Sequence, residues 1–190
     1  MKRFVLLLVM ALGLPSASAS ASADVWEKVA KSNSKGYVLL LRHAVAPGVG
    51  DPINFKVGDC STQRNLSEEG KAQARRIGNW IKTQQLPIAR VESSRWCRAI
   101  DTATLMNIGK VTENSNLDSL FQDDNPDSDL RTAATLALIK KHRKTSGLLV
   151  LVFHQVNITA LTGVAPASGE GILVRAKKGK IEVIGRSPAL

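Results

Sequence analysis

Short apolar runs alternate with amphipathic segments along the chain, and this alternation predicts its fold. Residues 37–41 and 148–153 are apolar throughout, which is typical of strands buried on both faces of a sheet. Residues 88–92 read as a shorter strand between them. Residues 171–184 read as two strands that form a hairpin around residues 177–180.

Amphipathic helices are predicted between these strands. Residues 68–85 carry apolar side chains at helical spacing, and Ser67 before them is a typical N-cap. Further helices are expected from about residue 95 to 108, with Gly109 at the C-terminal end, and over residues 130–144. The alternation implies an α/β fold: a single-domain three-layer sandwich with a mixed, mainly parallel sheet and helices on both faces.

Two long polar segments interrupt this pattern. Residues 46–64 are rich in Gly, Pro and Asp, and residues 118–129 are polar and acidic. Loops of this length are usually functional or disordered. We therefore expect substrate specificity to depend on these two segments.

The N-terminus has the pattern of a secretory signal peptide. Lys2 and Arg3 precede an apolar stretch over residues 4–14, which is too short to span a bilayer. Small residues follow, and they place cleavage after Ala23 or at one of two earlier Ala-Ser-Ala sites. An uncleaved interfacial anchor is the alternative.

This interpretation divides the chain into a signal peptide over residues 1–23 and one domain over residues 24–190. We expect the mature protein to be periplasmic or secreted, with no membrane span. The formal net charge of the 190-residue chain is +10, which favours anionic partners such as phosphorylated metabolites, phosphorylated glycolipid or anionic head groups. Nucleic acid is a poor candidate, since the chain has one Tyr and no recognition motif.

Cys60 and Cys97 are the only two cysteines. Export makes a disulfide between them chemically possible, and two separate buried thiols are the alternative. Neither has a second ligand at metal-binding spacing, so we expect no metal site.

Cationic and imidazole side chains recur where strands and helices meet. Arg42 and His43 follow the first strand, His154 follows a later strand, and Arg98 lies near the start of a helix. The carboxyl ends of parallel strands are where open α/β sheets bind ligands. Arg binds phosphate oxygens bidentately, and His can accept or donate a proton or act as a nucleophile. These four residues are therefore candidates for binding and transferring a phosphoryl group.

Four motifs occur in a specific order: Leu-Arg-His-Ala at residues 41–44, Asn-Leu-Ser-Glu-Glu-Gly at 65–70, Ser-Ser-Arg-Trp-Cys-Arg-Ala-Ile-Asp-Thr-Ala at 93–103 and Val-Phe-His at 152–154. The set resembles the histidine phosphatase superfamily, whose fold is phosphoglycerate mutase-like. The resemblance implies that His43 is the nucleophile and becomes a transient phosphohistidine. It also implies that no cofactor is needed, because Arg42 and Arg98 supply the positive charge.

Each of these residues also has a structural interpretation. A lone His at a strand end is often a satisfied core or surface residue, and Arg98 could pair with Asp101 or Glu92. The joint occurrence of the motifs favours catalysis by His43, with His154 hydrogen-bonded to the phosphoryl group. We assign His142 no role, because it lies in a basic helix end that is expected to be solvated.

The proton donor departs from the pattern of similar enzymes, many of which carry a Glu or Asp between the second Arg motif and the second His. Asp123 is our candidate for this catalytic role, ahead of Asp124 and Asp118. Some relatives work without such an acid on substrates with good leaving groups, so the leaving-group class stays open.

Residues 63–65 are candidates for contacting the substrate beyond its phosphate. Gln63 and Arg64 end the long loop, and Asn65 opens the second motif. Their alternative role is to anchor the loop. Arg95 could support the site from behind or lie at the surface.

The sequence thus predicts an exported phosphatase that hydrolyses a small-molecule or glycolipid phosphomonoester. The alternative is a non-catalytic envelope protein that binds phosphate or polyanions through a lapsed active site. The substrate and the oligomeric state cannot be derived from these patterns.

Overall fold

A computed structural model describes residues 25–121 and 128–190 of the chain. Its strands are β1 (Tyr37–Arg42), β2 (Ile88–Ser93), β3 (Val111–Glu113), β4 (Leu148–Phe153), β5 (Gly171–Lys177) and β6 (Lys180–Arg186). Its helices are α1 (residues 25–31), α2 (Glu68–Thr83), α3 (Cys97–Met106), α4 (Ser128–His142) and α5 (Gln155–Thr162). The predicted signal peptide lies outside the described residues.

The six strands form one sheet in the order β3-β2-β4-β1-β5-β6. Strands β1, β2, β3 and β4 pair in parallel, whereas β5 is antiparallel to both β1 and β6. The sheet is therefore mixed and mainly parallel, as the sequence predicts, and the hairpin β5–β6 turns at Lys178 and Gly179.

Helices cover both faces of the sheet and create two hydrophobic cores. On one face, Leu39 and Leu41 of β1 pack with apolar residues of α1, α2 and α3. On the other face, Val38 and Leu40 pack with Ile139 of α4 and with apolar residues of α5. This alternation along one strand confirms the three-layer arrangement. Among the described residues, no helix is long and apolar enough to cross a membrane.

Helix α3 is shorter than predicted at both ends. Trp96 is extended and serves as the N-cap, so the helix begins at Cys97 rather than near residue 95. The chain leaves the helix at Asn107, which adopts the left-handed conformation with φ 49°. Asn can occupy this conformation at modest cost, and it replaces the predicted Gly109 as the terminating residue.

Helix α5 was not expected from the pattern. Its sequence is rich in Val, Ile and Thr, which have low helix propensity. Burial of Asn157 and Ile158 against the sheet holds it in place, and Gly163 ends it with φ 73°. The helix begins directly after His154 and so helps to orient that side chain.

Strand register places the candidate residues at one edge. Arg42 is paired with Phe153, so the residues that follow, His43 and His154, emerge side by side. The backbone N–H of His43 donates to the carbonyl of Phe153 at 3.0 Å. The N–H of Ser94, after β2, donates to Val152 at 3.0 Å. The carboxyl ends of β1, β2 and β4 therefore meet at a common site.

Candidate active site

A cavity of about 540 Å³ opens at this edge of the sheet. Its floor carries the four predicted residues together with a third arginine: Arg42, His43, Arg64, Arg98 and His154. The rings of the two histidines lie 5.4 Å apart, centroid to centroid. The structure thus brings together side chains that are far apart in the sequence, with three guanidinium groups around two imidazoles.

His43 is buried and holds one defined tautomer. Its Nδ1 lies 2.8 Å from the carbonyl oxygen of Ala44. A carbonyl can only accept, so the proton lies on Nδ1 and the lone pair on Nε2. Nε of Arg98 donates to that Nε2 at 3.3 Å. Burial, and then the positive charge of Arg98, lower the pKa of His43 from 6.5 to about 3. Its Nε2 is therefore an unprotonated nucleophile at neutral pH.

His154 is also uncharged. Complete burial, the neighbouring His43 and the charge of Arg98 hold its pKa well below 6.5. Its Nε2 lies 2.9 Å from Oγ of Ser94, and the same Oγ lies 3.4 Å from Oδ1 of Asp118. The Ser94 hydroxyl has one proton, so it donates either to Asp118 or to Nε2 of His154. When it donates to Nε2, Nδ1 of His154 carries the proton and can donate to a bound anion.

Ser94 was missed as a site residue by sequence reasoning. Within the sequence it is one residue of the second Arg motif, and its position directly after β2 is the signal that could identify it. Its Oγ also accepts from the N–H of Trp96 at 3.3 Å. This hydroxyl therefore fixes the orientation of His154 from behind.

The guanidinium of Arg42 has a hydrogen-bond donor without an acceptor among the described residues. Its Nη1 donates to the carbonyl of Pro166 at 3.0 Å, which fixes the guanidinium at the cavity wall. Its Nε is buried and has no hydrogen-bond partner among the described residues. A buried N–H without a partner is costly, and an anion in the cavity would supply the missing acceptor.

Arg98 pairs with neither Asp101 nor Glu92. Its Nη1 and Nη2 instead bind the two carboxylate oxygens of Asp51 at 2.7 Å and 3.0 Å. Glu92 pairs with Arg90 at 3.1 Å. Asp51 lies in the long loop 46–64, where no local pattern distinguishes it from Asp59, the other acidic residue.

Arg64 lines the cavity, whereas its two neighbours in the sequence do not. Its Nε donates to the carbonyl of Gly50 at 2.8 Å, and its Nη1 bonds to the carbonyl of Ala46. Gln63 and Asn65 do not line the cavity, and their predicted contact with the substrate stays a prediction. Both are committed to backbone groups, as their alternative role of loop anchors requires.

The contacts of these two amides show why. The Gln63 amide is buried, accepts from the N–H of Cys97 at 2.9 Å and donates to the carbonyl of Lys56 at 2.9 Å. Asn65 is exposed and donates to the carbonyl of Cys60 at 2.7 Å. Neither side chain faces the cavity.

Of the three candidate proton donors, the structure describes only Asp118. Asp118 is fully buried and binds the guanidinium of Arg95 through Oδ2, with Nε at 2.8 Å. It is not among the residues that line the cavity, so it cannot reach a leaving group there. Arg95 is thereby assigned to supporting the site from behind. Asp123 and Asp124 lie outside the described residues, and their role stays a prediction.

A disulfide joins Cys60 to Cys97. The bond links the long loop to the first residue of α3, next to Arg98. It lies beside the Gln63 bridge to the N–H of Cys97. The loop that carries Asp51 and Arg64 is therefore attached to the helix that carries Arg98 by one covalent bond and one buried amide.

His142 is buried, contrary to the expectation of a solvated helix end. It is only 2% exposed, and its Nε2 lies 2.9 Å from the carbonyl of Gly147. Burial lowers its pKa. It lies at the end of α4 that precedes β4, opposite the cavity, and it acts as a structural residue.

The three histidines predict a pH-dependent stability. Their pKa values are lower in the folded chain than in the unfolded chain, so between about pH 6.5 and the folded values only the unfolded chain takes up their protons. The free energy of unfolding should therefore fall as the pH drops below about 6.5. Urea unfolding at about pH 7.5 and about pH 5 measures this.

The matched control for this prediction is His43→Gln, which removes one of the three titrating groups. Its loss of stability between the two pH values should be smaller than that of the wild type. Equal stability of the wild type at both values would contradict the neutral, buried state of these imidazoles.

Known proteins place this arrangement in context. A family model described as histidine phosphatase superfamily, branch 1, matches residues 24–120, about half of the chain. No curated protein matches the chain in sequence. Solved structures with the same fold are numerous, and their sequence identity to this chain is low.

Three of these structures show how similar this chain is to solved phosphatases. The protein histidine phosphatase SixA complexed with tungstate is 19% identical, with a TM-score of 0.58, over 80% of this chain and 97% of that one. A phosphoserine phosphatase mutant from Entamoeba histolytica with phosphoserine is 14% identical, with a TM-score of 0.57, over 80% and 97%. The mycobacterial glucosyl-3-phosphoglycerate phosphatase is 17% identical, with a TM-score of 0.54, over 77% and 96%. The fold of these structures, the matching family model and the paired histidines among arginines agree: this chain belongs to the histidine phosphatase superfamily.

Proposed function

We propose that this protein is an exported phosphatase that hydrolyses a phosphomonoester through a phosphohistidine on His43. The observation that carries the proposal is the state of His43. Its Nδ1 is held by the carbonyl of Ala44, and its Nε2 is unprotonated beside Arg98 in a cationic cavity. This is the geometry that attack on phosphorus requires.

The three arginines bind the phosphate. Arg42 offers its unpartnered Nε, Arg98 offers the Nε that now faces His43, and Arg64 adds a third positive charge. A phosphate dianion that enters the cavity gives these donors charged acceptors in a partly desolvated site, where such bonds are strong. Substrate oxygens replace the His43 lone pair as the acceptor for Arg98.

Phosphoryl transfer then proceeds in two steps. Nε2 of His43 forms a bond to phosphorus while the ester P–O bond breaks and the leaving oxygen takes a proton. Water next attacks phosphorus, the N–P bond breaks, and inorganic phosphate and neutral His43 are released. In both steps the Nδ1–H of His154 and the arginines stabilise charge on the non-bridging phosphoryl oxygens.

Whether a side chain of the protein donates a proton to the leaving oxygen determines which classes of substrate can react. Among the described residues that line the cavity there is no carboxylate. If Asp123 donates the proton, alkyl phosphates with poor leaving groups are substrates, and Asp123→Asn slows them more than aryl phosphates. If no acid acts, aryl phosphates and other activated phosphates are turned over far faster than alkyl phosphates in the wild type.

The mouth of the cavity suggests how the rest of the substrate is contacted. Val49 and Phe121 line it and are 87% and 53% exposed. They offer an apolar surface to the part of the substrate beyond the phosphate. Similar folds include phosphatases for phosphoserine and for glucosyl-3-phosphoglycerate. A small or glycolipid-borne phosphomonoester in the periplasm or outside the cell would suit this mouth and the basic surface.

A panel of phosphomonoesters tests the function. Purified mature protein would be assayed with aryl, sugar, amino-acid and lipid phosphates, and phosphate release would be measured. Turnover of at least one class supports the phosphatase. Binding of inorganic phosphate without turnover of any panel member would instead support the phosphate-binding envelope protein.

A further inference from the structure

We propose that Asp51 is a positioning residue, which holds Arg98 by one edge of its guanidinium so that the other edge faces the reacting phosphoryl group. The proposal rests on the proposed function. It assigns a task to a loop carboxylate that none of the motifs contains.

The guanidinium of Arg98 uses its donors in a specific way. Nη1 and Nη2 bind the two oxygens of Asp51, and the second N–H of Nη1 donates to the carbonyl of Arg64 at 3.3 Å. Nε donates to Nε2 of His43 at 3.3 Å. The second N–H of Nη2 has no acceptor among the described residues. Because the fork is rigid and planar, Nε and this N–H form the edge left for phosphate.

Asp51 lies behind Arg98 rather than in the place of the substrate. Both side chains are almost fully buried, at 3% exposure for Arg98 and 4% for Asp51. Arg98 lines the cavity, but Asp51 does not. The carboxylate therefore does not compete with phosphate for the reactive edge, and it neutralises a cation that would otherwise be buried alone when the site is empty.

Asp51 is itself tightly held. Besides Arg98, it accepts from the backbone N–H of Arg64 and from Nε1 of Trp96, both at 3.0 Å. Burial alone would raise its pKa, but the bonds from Arg98 and Arg64 and the charge of Arg98 outweigh burial and lower it. Asp51 is thus an ionised acceptor and is not the missing proton donor.

The Trp96 contact extends this arrangement to the second histidine. The Trp96 ring packs edge-on against His154, with centroids 5.6 Å apart, and Phe55 stacks on Trp96 at 4.8 Å. One carboxylate thereby fixes Arg98 directly and braces the ring that packs against His154.

Asp51→Asn is the informative variant, because the amide has almost the same shape but presents an NH₂ group to one guanidinium nitrogen. Arg98 then loses the carboxylate that holds its Nη1 and Nη2, and its free edge no longer faces the phosphoryl group. We expect kcat to fall by about 10- to 100-fold, since a misplaced catalytic group costs this much. The Ki of inorganic phosphate should weaken much less than kcat falls, because Arg42 and Arg64 still bind the anion and the cavity has lost a nearby negative charge. Asp51→Glu should recover part of kcat.

A double-mutant cycle separates positioning from a general structural role. If Asp51 acts through Arg98, Asp51→Asn costs little more than twofold in an Arg98→Lys background, whereas independent effects would multiply. Rates are expressed per folded protein, and the folded fraction of each variant is taken from its urea unfolding curve. The matched control is Asp59→Asn, because Asp59 lies in the same loop and is exposed, and its carboxylate accepts from the N–H and the hydroxyl of Ser61 within its own turn.

The outcomes are distinct. A wild type that turns over no phosphomonoester defeats the proposed function. An active wild type with an Asp51→Asn variant within twofold of it overturns the role of Asp51 alone. Multiplicative losses in the cycle, or a weaker Ki for phosphate in parallel with kcat, also overturn positioning. A selective loss of kcat that disappears in the Arg98→Lys background supports it.

Discussion

Replacing His43 with alanine is expected to abolish turnover, with a loss of at least about 10³-fold in kcat/KM. The variant lacks the Nε2 lone pair to which we assign the attack on phosphorus. The cationic cavity is retained, so inorganic phosphate should still bind. Steady-state rates with an aryl phosphate measure the first effect, and competition by inorganic phosphate in a binding assay measures the second.

The phosphorylated intermediate gives a direct readout of the same prediction. When the wild type is mixed with a phosphate-labelled substrate and rapidly quenched, labelled phosphate should be found on the protein. This label should be stable in base and labile in acid, as expected for a phosphohistidine. His142→Asn is the matched control, because His142 is buried at the far end of α4 and should leave the label unchanged. Persistence of the label in His43→Ala would assign the nucleophile elsewhere.

Replacing Arg98 with alanine is expected to have two large effects. Loss of a charge-assisted contact to the transition state should lower kcat/KM by about 10²-fold or more. The substitution also leaves Asp51 buried without its partner, which typically costs about 3–5 kcal/mol of folding stability. Kinetic assays and urea unfolding of the same preparation measure both.

A second variant distinguishes these two effects. Arg98→Met combined with Asp51→Asn removes the buried charges and keeps an amide oxygen for one of the N–H groups of Arg64 and Trp96. It should recover part of the stability without recovering the rate. A change of less than twofold in kcat/KM for Arg98→Ala would remove Arg98 from the site. Recovery of the rate together with the stability would show that Arg98 acts only through folding.

The sequence predicts the frame of the site well because the frame depends on buried strands. Continuous apolar runs define β1 and β4, and the residues that follow them in register are His43 and His154. The N-cap at Ser67 is confirmed by its bond from the N–H of Gly70 at 3.0 Å. Hydrophobic burial and local capping are properties of short segments, so they can be derived from sequence alone.

The contacts that complete the site depend instead on how a long loop folds back. Asp51 reaches Arg98 across 47 positions in the sequence, and Gln63 reaches the N–H of Cys97 across 34. No periodicity encodes such contacts. The same limit applies to Gln63 and Asn65, whose bonds to backbone groups the sequence does not predict, because the direction of a side chain in an irregular loop follows from tertiary structure.

Because Cys60 and Cys97 form a disulfide, the order of the cavity depends on the redox conditions around the protein. In a reducing compartment the chain would possess every reactive side chain but lack the covalent link between the segments that bear Asp51, Arg64 and Arg98. Ordering of those segments would then rest on weaker contacts against a larger entropy loss. Such a chain is expected to be less active until its thiols are oxidised.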